Sequence, residues 1–243
     1  MLKVEHVVKS YKQGGLFSQE KKQVLNGVSF QSLPGECLGI IGESGSGKST
    51  LGRLLIGIEK PDQGTVLMDG ADVSKRKIRA GKMSAVFQDY KSSINPFFTV
   101  EEAIMEPLGR NGETNKVETL LKEVGLPPSY RQKYPHELSG GEVQRVCIAR
   151  AVAAEPRCIL LDEAISSLDV SVQLQVLDLL RTLKERRRMS YVFITHDIQA
   201  AAYLCDRIIF FRDGRIEEIT ETRQLKNVKS DYAKKLLGAL VMV

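Results

Sequence analysis

Apolar and polar positions alternate along the first third of the chain, and this alternation predicts a series of β-strands. The predicted strands are Leu2–Val8, Val24–Gln31, Cys37–Ile41, Thr65–Met68 and Met83–Phe87. The Asp69-Gly70 pair after the fourth strand favours a tight hairpin turn. The first third is therefore expected to be built mainly from strands.

The middle of the chain changes to a helical pattern. Thr99, with Glu102 three residues later, forms a capping box that indicates the start of a helix. A second helix is predicted over Val117–Val124 and should stop at Gly125, because glycine ends helices and prolines follow it. This part of the chain therefore resembles a helical insert.

Strands and helices alternate again from residue 157 onward. The predicted elements are the strand Ile159–Leu161, the amphipathic helix Ser171–Arg188, the strands Tyr191–Thr195 and Ile208–Phe211, and the terminal helix Tyr232–Leu240. Asp213-Gly214 is predicted to form another hairpin turn. The fold class is therefore α/β, a sheet with crossover helices and a smaller helical subdomain. We expect a single domain over 1–243, with a catalytic core at 1–90 and 156–220, the helical subdomain at 91–155 and a short tail at 221–243.

Composition and charge make some classes of function less probable for this chain. A chain of 243 residues with 42% hydrophobic and 27% charged residues is ordinary globular material. The net charge of +5 is spread out except for basic clusters at 75–82 and 186–188, which are more typical of solvated surfaces than of nucleic-acid sites. No apolar run is long enough to cross a bilayer, and the first residues lack a signal-peptide core, so a cytosolic chain without a nucleic-acid partner is expected.

Cysteines and histidines give no metal-binding pattern. Cys37, Cys147, Cys158 and Cys205 are far apart in sequence and form no C-x-x-C pair, so reduced, buried thiols are expected rather than a disulfide or metal site. The three histidines are equally scattered. A protein zinc site is not expected.

Residues 42–50 read GESGSGKST and follow an apolar strand, which is the pattern of a phosphate-binding loop. Its glycines let successive backbone N–H groups point at phosphates, and Lys48 adds a positive charge. Ser49 offers a hydroxyl to Mg²⁺, at the start of a helix predicted over Ser49–Gly57. The loop therefore predicts a nucleoside triphosphate, bound by Gly42, Glu43, Ser44, Gly45, Ser46, Gly47, Lys48, Ser49 and Thr50.

Three later features narrow this prediction. Ser139-Gly140-Gly141-Glu142 begins a helix that runs to about residue 154, and its exposed N–H groups suit an anion although no lysine lies nearby. Asp162 and Glu163 end a buried apolar strand, where Asp162 can organise Mg²⁺ hydration and Glu163 can polarise a water. His196 ends a later strand and is expected within reach of the γ-phosphate.

A phosphate loop alone also fits kinases and GTPases, but together these motifs resemble the ATP-binding subunits of ABC transporters. Residues 42–50 are similar to Walker A, LSGGE at 138–142 to the signature, ILLDE at 159–163 to Walker B and Ser167-Leu168-Asp169 to the D-loop. Gln88 resembles the Q-loop glutamine and His196 the switch histidine. The resemblance implies a P-loop NTPase fold, the ABC nucleotide-binding domain, with a RecA-like mixed sheet core, an antiparallel β portion and a helical subdomain.

The resemblance also implies a role for each site residue. Glu163 would be the general base, with His196, Gln88 and Lys48 as further catalytic groups, and Ser49, Gln88 and Asp162 would hold Mg²⁺. Tyr11 resembles the aromatic residue that stacks on adenine, although the insert at 14–22 leaves open that it is an ordinary aromatic at a strand end. The nucleotide that is held by the phosphate loop of a partner subunit would be contacted by this chain's Ser139, Gly140, Gly141, Glu142 and Asp169.

In this family, two such domains meet head to tail and enclose two ATP molecules. The resemblance implies a second ATPase subunit, with a heterodimer expected and a homodimer left open. It also implies two transmembrane permease subunits, whose coupling helices would contact Tyr90–Glu106, and an extracellular solute-binding protein reached through the permease. The chain would then lie peripherally on the cytoplasmic face of the cell membrane.

Further segments resemble the peptide, nickel and opine-metallophore importers, and most closely the staphylopine type. These segments are IEKPDQG at 58–64, AVFQDYKSS at 85–93, DEAISSLD at 162–169 and the tail at 231–237. Ala164-Ile165 replaces the more common Pro-Thr, and Glu142 replaces the more common glutamine. The implied cargo is a nickel, cobalt or zinc metallophore complex. A peptide or free nickel importer, an exporter, a non-transport ABC ATPase and a small-molecule P-loop kinase remain alternatives.

Overall fold

The computed structural model describes residues 1–13, 20–89, 93–111 and 115–238. Its strands are β1 Leu2–Lys12, β2 Lys21–Ser32, β3 Cys37–Ile41, β4 Gln63–Met68, β5 Ala71–Asp72, β6 Met83–Phe87, β7 Cys158–Asp162, β8 Ser190–Thr195, β9 Arg207–Arg212 and β10 Arg215–Glu221. Its helices are α1 Lys48–Leu55, α2 Arg76–Arg79, α3 Val100–Met105, α4 Asn115–Glu123, α5 Gly140–Ala153, α6 Val170–Arg187, α7 Ile198–Leu204 and α8 Asp231–Gly238. The chain forms two compact units, residues 1–80 with 190–243, and residues 81–189.

The first unit contains an antiparallel sheet in the order β2-β1-β4-β5. Leu2 and Val4 of β1 and Val28 and Phe30 of β2 are buried at alternate positions, which is why the period of two predicted these strands. The alternation is interrupted in β1 by a register shift between Val4 and Val7. Both strands extend further than predicted, to Lys12 and from Lys21. The hairpin at Asp69-Gly70 joins β4 to β5, and both turn residues have a positive φ.

The first unit also contains the strands that carry the phosphate loop. They lie in the order β10-β9-β3-β8, and β3 runs parallel to both β8 and β9. All residues of β3 and β8 are buried, as expected for strands that are covered on both faces. The predicted Asp213-Gly214 hairpin is confirmed between β9 and β10.

In the second unit, β6 and β7 pair in parallel and are accompanied by α3, α4, α5 and α6. The predicted capping box at Thr99 and Glu102 is confirmed. Buried apolar residues cover the inner faces of the helices: Ile104, Leu120, Leu121, Val146, Ile148, Val176 and Leu180. The predicted helical character of the middle segment is confirmed for the residues that the structure describes.

Several predicted boundaries differ from the observed ones. The loop helix was expected at Ser49–Gly57, but α1 spans Lys48–Leu55 because Gly57 has a positive φ. The terminal helix α8 is described as far as Gly238. Three parts of the predictions lie outside the described residues. They are the end of the terminal helix at residue 240, residues 90–92 of the expected permease contact and residues 14–19 of the insert.

All four cysteines are buried and not disulfide-bonded. Distance in sequence did not predict their arrangement, because the Sγ atoms of Cys37 and Cys205 lie 3.4 Å apart. Among the described residues, no group of three or more potential ligands is arranged to hold a metal ion. Within the same ranges, no helix has both the length and the apolar character needed to span a bilayer.

Candidate nucleotide site

The phosphate loop links the end of β3 to the start of α1 and is packed tightly against its neighbours. Gly47 is the N-cap of α1 and has a φ of 105°, in the left-handed region that favours glycine. A Cβ atom added to Gly42 would lie 2.0 Å from the backbone oxygen of Phe211. These positions therefore require glycine for different reasons, one for its backbone conformation and one for lack of space.

Lys48 brings a positive charge to this loop. Its side chain is buried, and Nζ donates hydrogen bonds to the backbone oxygens of Gly42 at 2.7 Å and Glu43 at 2.9 Å. Lys48 is also the first residue of α1, whose N–H groups and dipole favour an anion at this end. The Lys48 ammonium and the N-terminus of α1 thus both provide the positive charge that a polyphosphate requires.

Sequence reasoning missed Tyr232 as a support of the loop. The Tyr232 hydroxyl, on α8, accepts a hydrogen bond from the Glu43 backbone N–H at 3.1 Å. Burial raises the pKa of this phenol. The turn between β9 and β10 provides a second support, because Gly214 N–H donates to the Ser46 backbone oxygen at 2.9 Å. No local spacing signals either contact, since both join segments far apart in the sequence.

His196 lies at the same edge of the sheet as the phosphate loop. Ile41, the last residue of β3, pairs with Thr195, the last residue of β8. Because the strands are parallel, Gly42 and His196 both follow at the carboxyl edge. The side chain of His196 is exposed there. The structure thus brings together two motifs that are separated by about 150 residues of sequence.

Tyr11, the predicted adenine-stacking residue, lies near the end of β1 and is half-buried. Its hydroxyl donates to Glu59 Oε2 at 2.5 Å. Glu59 also accepts from Arg53 Nε, on α1, at 2.6 Å. The aromatic residue is therefore tied to the helix that follows the phosphate loop, a connection that sequence reasoning did not find.

In the second unit, three predicted site residues share one edge. Phe87 of β6 pairs with Asp162 of β7 in a parallel register, so Gln88 and Glu163 both follow at the carboxyl edge. Asp162 is buried, whereas Glu163 is half-buried and Gln88 is exposed. Glu163 has a φ of 50°, which is uncommon for a residue with a side chain.

The signature segment begins α5 with a complete capping box. Ser139 Oγ accepts from the Glu142 backbone N–H, and the Glu142 carboxylate accepts from Ser139 N–H at 2.8 Å. Tyr130 also donates to Glu142, at 2.8 Å. The hydrogen bond from the Ser139 backbone, followed by that from Tyr130, holds the pKa of Glu142 below its usual value. Glu142 is therefore an anion that caps its own helix.

The signature and the D-loop face one cleft of about 440 Å³ within the second unit. Ser139, Gly140, Gly141 and Glu142 line it together with Asp169, the N-cap of α6. A Cβ added to Gly141 would lie 2.7 Å from Val172 Cγ1, so a glycine here permits the close approach of α5 and α6. The predicted partner-facing residues are thus adjacent to one another.

Comparison with known proteins decides the family. The sequence profile described as ABC transporter matches residues 25–166, which include all of Walker A, the signature and Walker B. The chain belongs to the ABC transporter family. The predicted fold class and ATPase activity are confirmed, and ABC ATPases of this kind bind ATP.

Curated relatives of this ABC ATPase align over nearly all of its length. It is 50% identical to the metal-staphylopine import system ATP-binding protein CntF of Staphylococcus aureus strain NCTC 8325, and the alignment covers 98% of each chain. It is 41% identical to the nickel import ATP-binding protein NikE of Pseudomonas putida, with 90% of this chain and 84% of NikE covered. Among solved structures, the dimeric ATP-binding cassette MJ0796 bound to ADP and Pi superposes with a TM-score of 0.81 at 33% identity. That superposition covers 92% of this chain and 99% of MJ0796.

Proposed function

We propose that this ABC ATPase energises the uptake of a metal–opine metallophore complex through separate permease subunits. The observation that carries the proposal is the 50% identity to CntF over 98% of both chains. The ATP-binding motifs agree with it, because the phosphate loop, the carboxylates at the end of β7 and the capped signature helix are all present. Nickel, cobalt and zinc are the cargo metals that we propose.

Each motif of the site has a proposed role toward ATP. The N–H groups of the loop and the Lys48 ammonium bind the β- and γ-phosphates, and Tyr11 stacks on the adenine. Glu163 accepts the proton of the attacking water. His196 and Gln88, each at the carboxyl edge of its own strand pair, orient the γ-phosphate and the water.

The oxygen donors present suit Mg²⁺. Ser49 exposes its hydroxyl in the first turn of α1, Asp162 ends a buried strand with its carboxylate, and Gln88 exposes an amide beside it. Hydroxyl, carboxylate and amide oxygens are the hard ligands that Mg²⁺ takes. When bound, the cation neutralises charge on the transferred phosphate.

The proposed assembly contains a second ATPase subunit, two permease subunits and a solute-binding protein. The dimeric state of the MJ0796 cassette supports pairing of two ATPase domains. The cleft that joins the signature to Asp169 supports it further, because it offers helix N–H groups to an anion and the side chain of Arg145 also lines it. The exposed side chain of Phe97, within the described part of 90–106, provides an apolar contact for a permease. In this assembly the ATPase is peripheral on the cytoplasmic face of the membrane.

Uptake of metallophore labelled with ⁶³Ni tests the proposal in cells that lack the chromosomal copy of this subunit. Uptake should be lost and should return with the unaltered chain but not with Glu163→Gln. Uptake that persists without the subunit would remove the assignment. Free ⁶³Ni²⁺ and labelled dipeptide serve as parallel substrates, since relatives include nickel and peptide import ATPases. Loss of either of these, with metallophore uptake intact, would support the peptide or free nickel importer instead.

A further inference from the structure

A chain of side-chain hydrogen bonds connects Tyr11 to the phosphate loop within the first unit. The Tyr11 hydroxyl donates to one carboxylate oxygen of Glu59 at 2.5 Å, and Arg53 Nε donates to the other at 2.6 Å. Arg53 Nη2 then donates to Thr50 Oγ1 at 3.3 Å. Thr50 is the last residue of the GKST motif and is buried in α1. The network therefore runs from the aromatic residue on β1 to the loop that holds the phosphates.

The geometry around Glu59 suits the fixing of an aromatic ring. Glu59 follows α1 in a turn whose backbone is also held, because its N–H donates to the Arg53 backbone oxygen at 3.3 Å. Side chains of Tyr11, Arg53 and Glu59 are all half-buried, so their hydrogen bonds are partly shielded from water. Burial by itself raises the pKa of Glu59. The hydrogen bonds from Tyr11 and Arg53 outweigh this effect and hold the pKa of Glu59 below its usual value. Glu59 is thus ionised and accepts from both partners at neutral pH.

We propose that Glu59 is a positioning residue for adenine, which acts by holding the Tyr11 ring at a set place relative to the phosphate loop. The proposal rests on the proposed role of Tyr11 as the stacking residue. A ring held before ATP arrives loses less conformational freedom on binding, so affinity for the base increases. Arg53 forms an ion pair with Glu59, which offsets the negative charge of that carboxylate.

Comparison of two ligands tests this role. Dissociation constants of Mg·ATP and of Mg·tripolyphosphate, which has no base, are measured by calorimetry on the full chain. Glu59→Ala should weaken ATP binding about three- to tenfold, the range expected for a stacking contact. Tripolyphosphate binding should change less than about twofold, a range that corresponds to a small free-energy difference. Tyr11→Phe keeps the ring but loses the hydroxyl, and it should weaken ATP in the same way.

The double variant and a matched control complete the test. Tyr11→Phe combined with Glu59→Ala should weaken ATP little more than Glu59→Ala alone, because both remove the short Tyr11–Glu59 hydrogen bond and Tyr11→Phe loses in addition only the longer one, 3.5 Å, from Arg53 Nη2. Glu5→Ala is the control, since Glu5 lies on β1 and is ion-paired with Lys3 on the exposed surface; it should leave both ligands unaffected. Glu59→Leu, which is of similar size but has no acceptor oxygen, provides a second variant if the alanine variant does not fold, and it should weaken ATP binding in the same way.

Each remaining outcome overturns one of the two proposals. Equal weakening of ATP and tripolyphosphate would show that Glu59 supports the loop and not the base. Unchanged ATP binding in Glu59→Ala and Tyr11→Phe would also remove the positioning role. If the unaltered chain binds tripolyphosphate as well as ATP and Tyr11→Ala has no effect, Tyr11 is not the stacking residue. If the unaltered chain binds neither ligand, the proposed function itself fails.

Discussion

Glu163 combines an uncommon backbone conformation with a position directly after a buried strand. Its φ of 50° places it in a region that residues with a Cβ rarely adopt, and the Ser166 N–H and hydroxyl both donate to its backbone oxygen. These bonds stabilise the turn that directs the chain away from β7. The local hydrogen bonds therefore stabilise this backbone conformation, and the conformation sets the direction in which the Glu163 side chain leaves the backbone.

Glu163→Gln should keep ATP binding and lower ATP turnover by roughly 10²- to 10⁴-fold, because an amide cannot accept the proton of water. The side chain keeps its size, so the fold should be unaffected. Single-turnover hydrolysis and size-exclusion chromatography with Mg·ATP measure the two effects. We expect a closed ATPase dimer to accumulate. Turnover within tenfold of the unaltered complex would exclude Glu163 as the general base.

Gly42 and Gly45 illustrate two different reasons for glycine within one loop. Gly42→Ala forces a Cβ to within 2.0 Å of the Phe211 backbone oxygen, whereas a Cβ at Gly45 has no heavy atom within 4 Å. Gly45 has a φ of 79°, so alanine there costs about 1 kcal/mol of backbone strain. Gly42→Ala should lower the free energy of unfolding by more than about 2 kcal/mol.

Urea denaturation of both variants, without nucleotide, measures this difference. The comparison needs no assumption about function, because both substitutions are conservative and both lie in the same loop. Equal losses of stability, or a larger loss for Gly45→Ala, would contradict the packing of the loop against β9.

At the scale of elements, α3 and α5 both begin with a capping box but lie in different surroundings. Each has a hydroxyl at the N-cap that accepts from the third helical N–H, and a glutamate that returns the hydrogen bond. Only the cap of α5, Ser139, lines the cleft with the D-loop. The two helices therefore provide a matched pair within the second unit.

Ser139→Ala and Thr99→Ala should each lower the free energy of unfolding by about 1 kcal/mol, the usual loss for an N-cap. ATPase activity of the purified ATPase pair, measured without the permease because Thr99 lies in the proposed permease contact, should fall markedly only for Ser139→Ala, whose hydroxyl also faces the proposed nucleotide of the partner subunit. Thermal unfolding and steady-state hydrolysis provide the two readouts. An equal loss of activity in Thr99→Ala would mean that helix stability alone accounts for the effect.

At the scale of the whole molecule, several carboxylates have a lowered pKa. They are Glu59, Asp62, Glu142, Glu155 and Glu218. For Asp62 the main cause is the Ser10 backbone N–H, and for Glu155 it is the hydrogen bond from Lys116. A lowered pKa in the folded state means that the unfolded chain binds protons first as the pH falls.

The stabilising contribution of these groups is therefore complete above their ordinary pKa, 4.5 for glutamate, and is lost as the pH falls through the lower folded values. We expect the free energy of unfolding to decrease steadily below about pH 4.5. Urea denaturation from pH 7 to pH 3 measures it. Glu142→Gln should make the decrease shallower, with Glu102→Gln in the equivalent cap as the comparison. A stability that rises on acidification would contradict the assigned hydrogen bonds.

The strands and helices could be predicted from sequence because their signals are local. The alternation in β1 and β2, the apolar runs of β3 and β7, and the capping box at Thr99 each depend on neighbours within a few residues. Boundaries moved by one or several positions where a long-range contact extends an element, as in β1, whose end at Lys12 pairs with Lys21 of β2.

Motif spacing also identified the phosphate loop, the carboxylates at the end of β7 and the signature, because the chemistry of each is contained in one short segment. Only the tertiary structure showed which distant segments support them. Tyr232 reaches Glu43 across 189 positions, Cys205 contacts Cys37 across 168, and Glu59 holds Tyr11 across 48. Such contacts depend on how strands are ordered in a sheet and where a helix packs, and no local pattern of residues encodes that order directly.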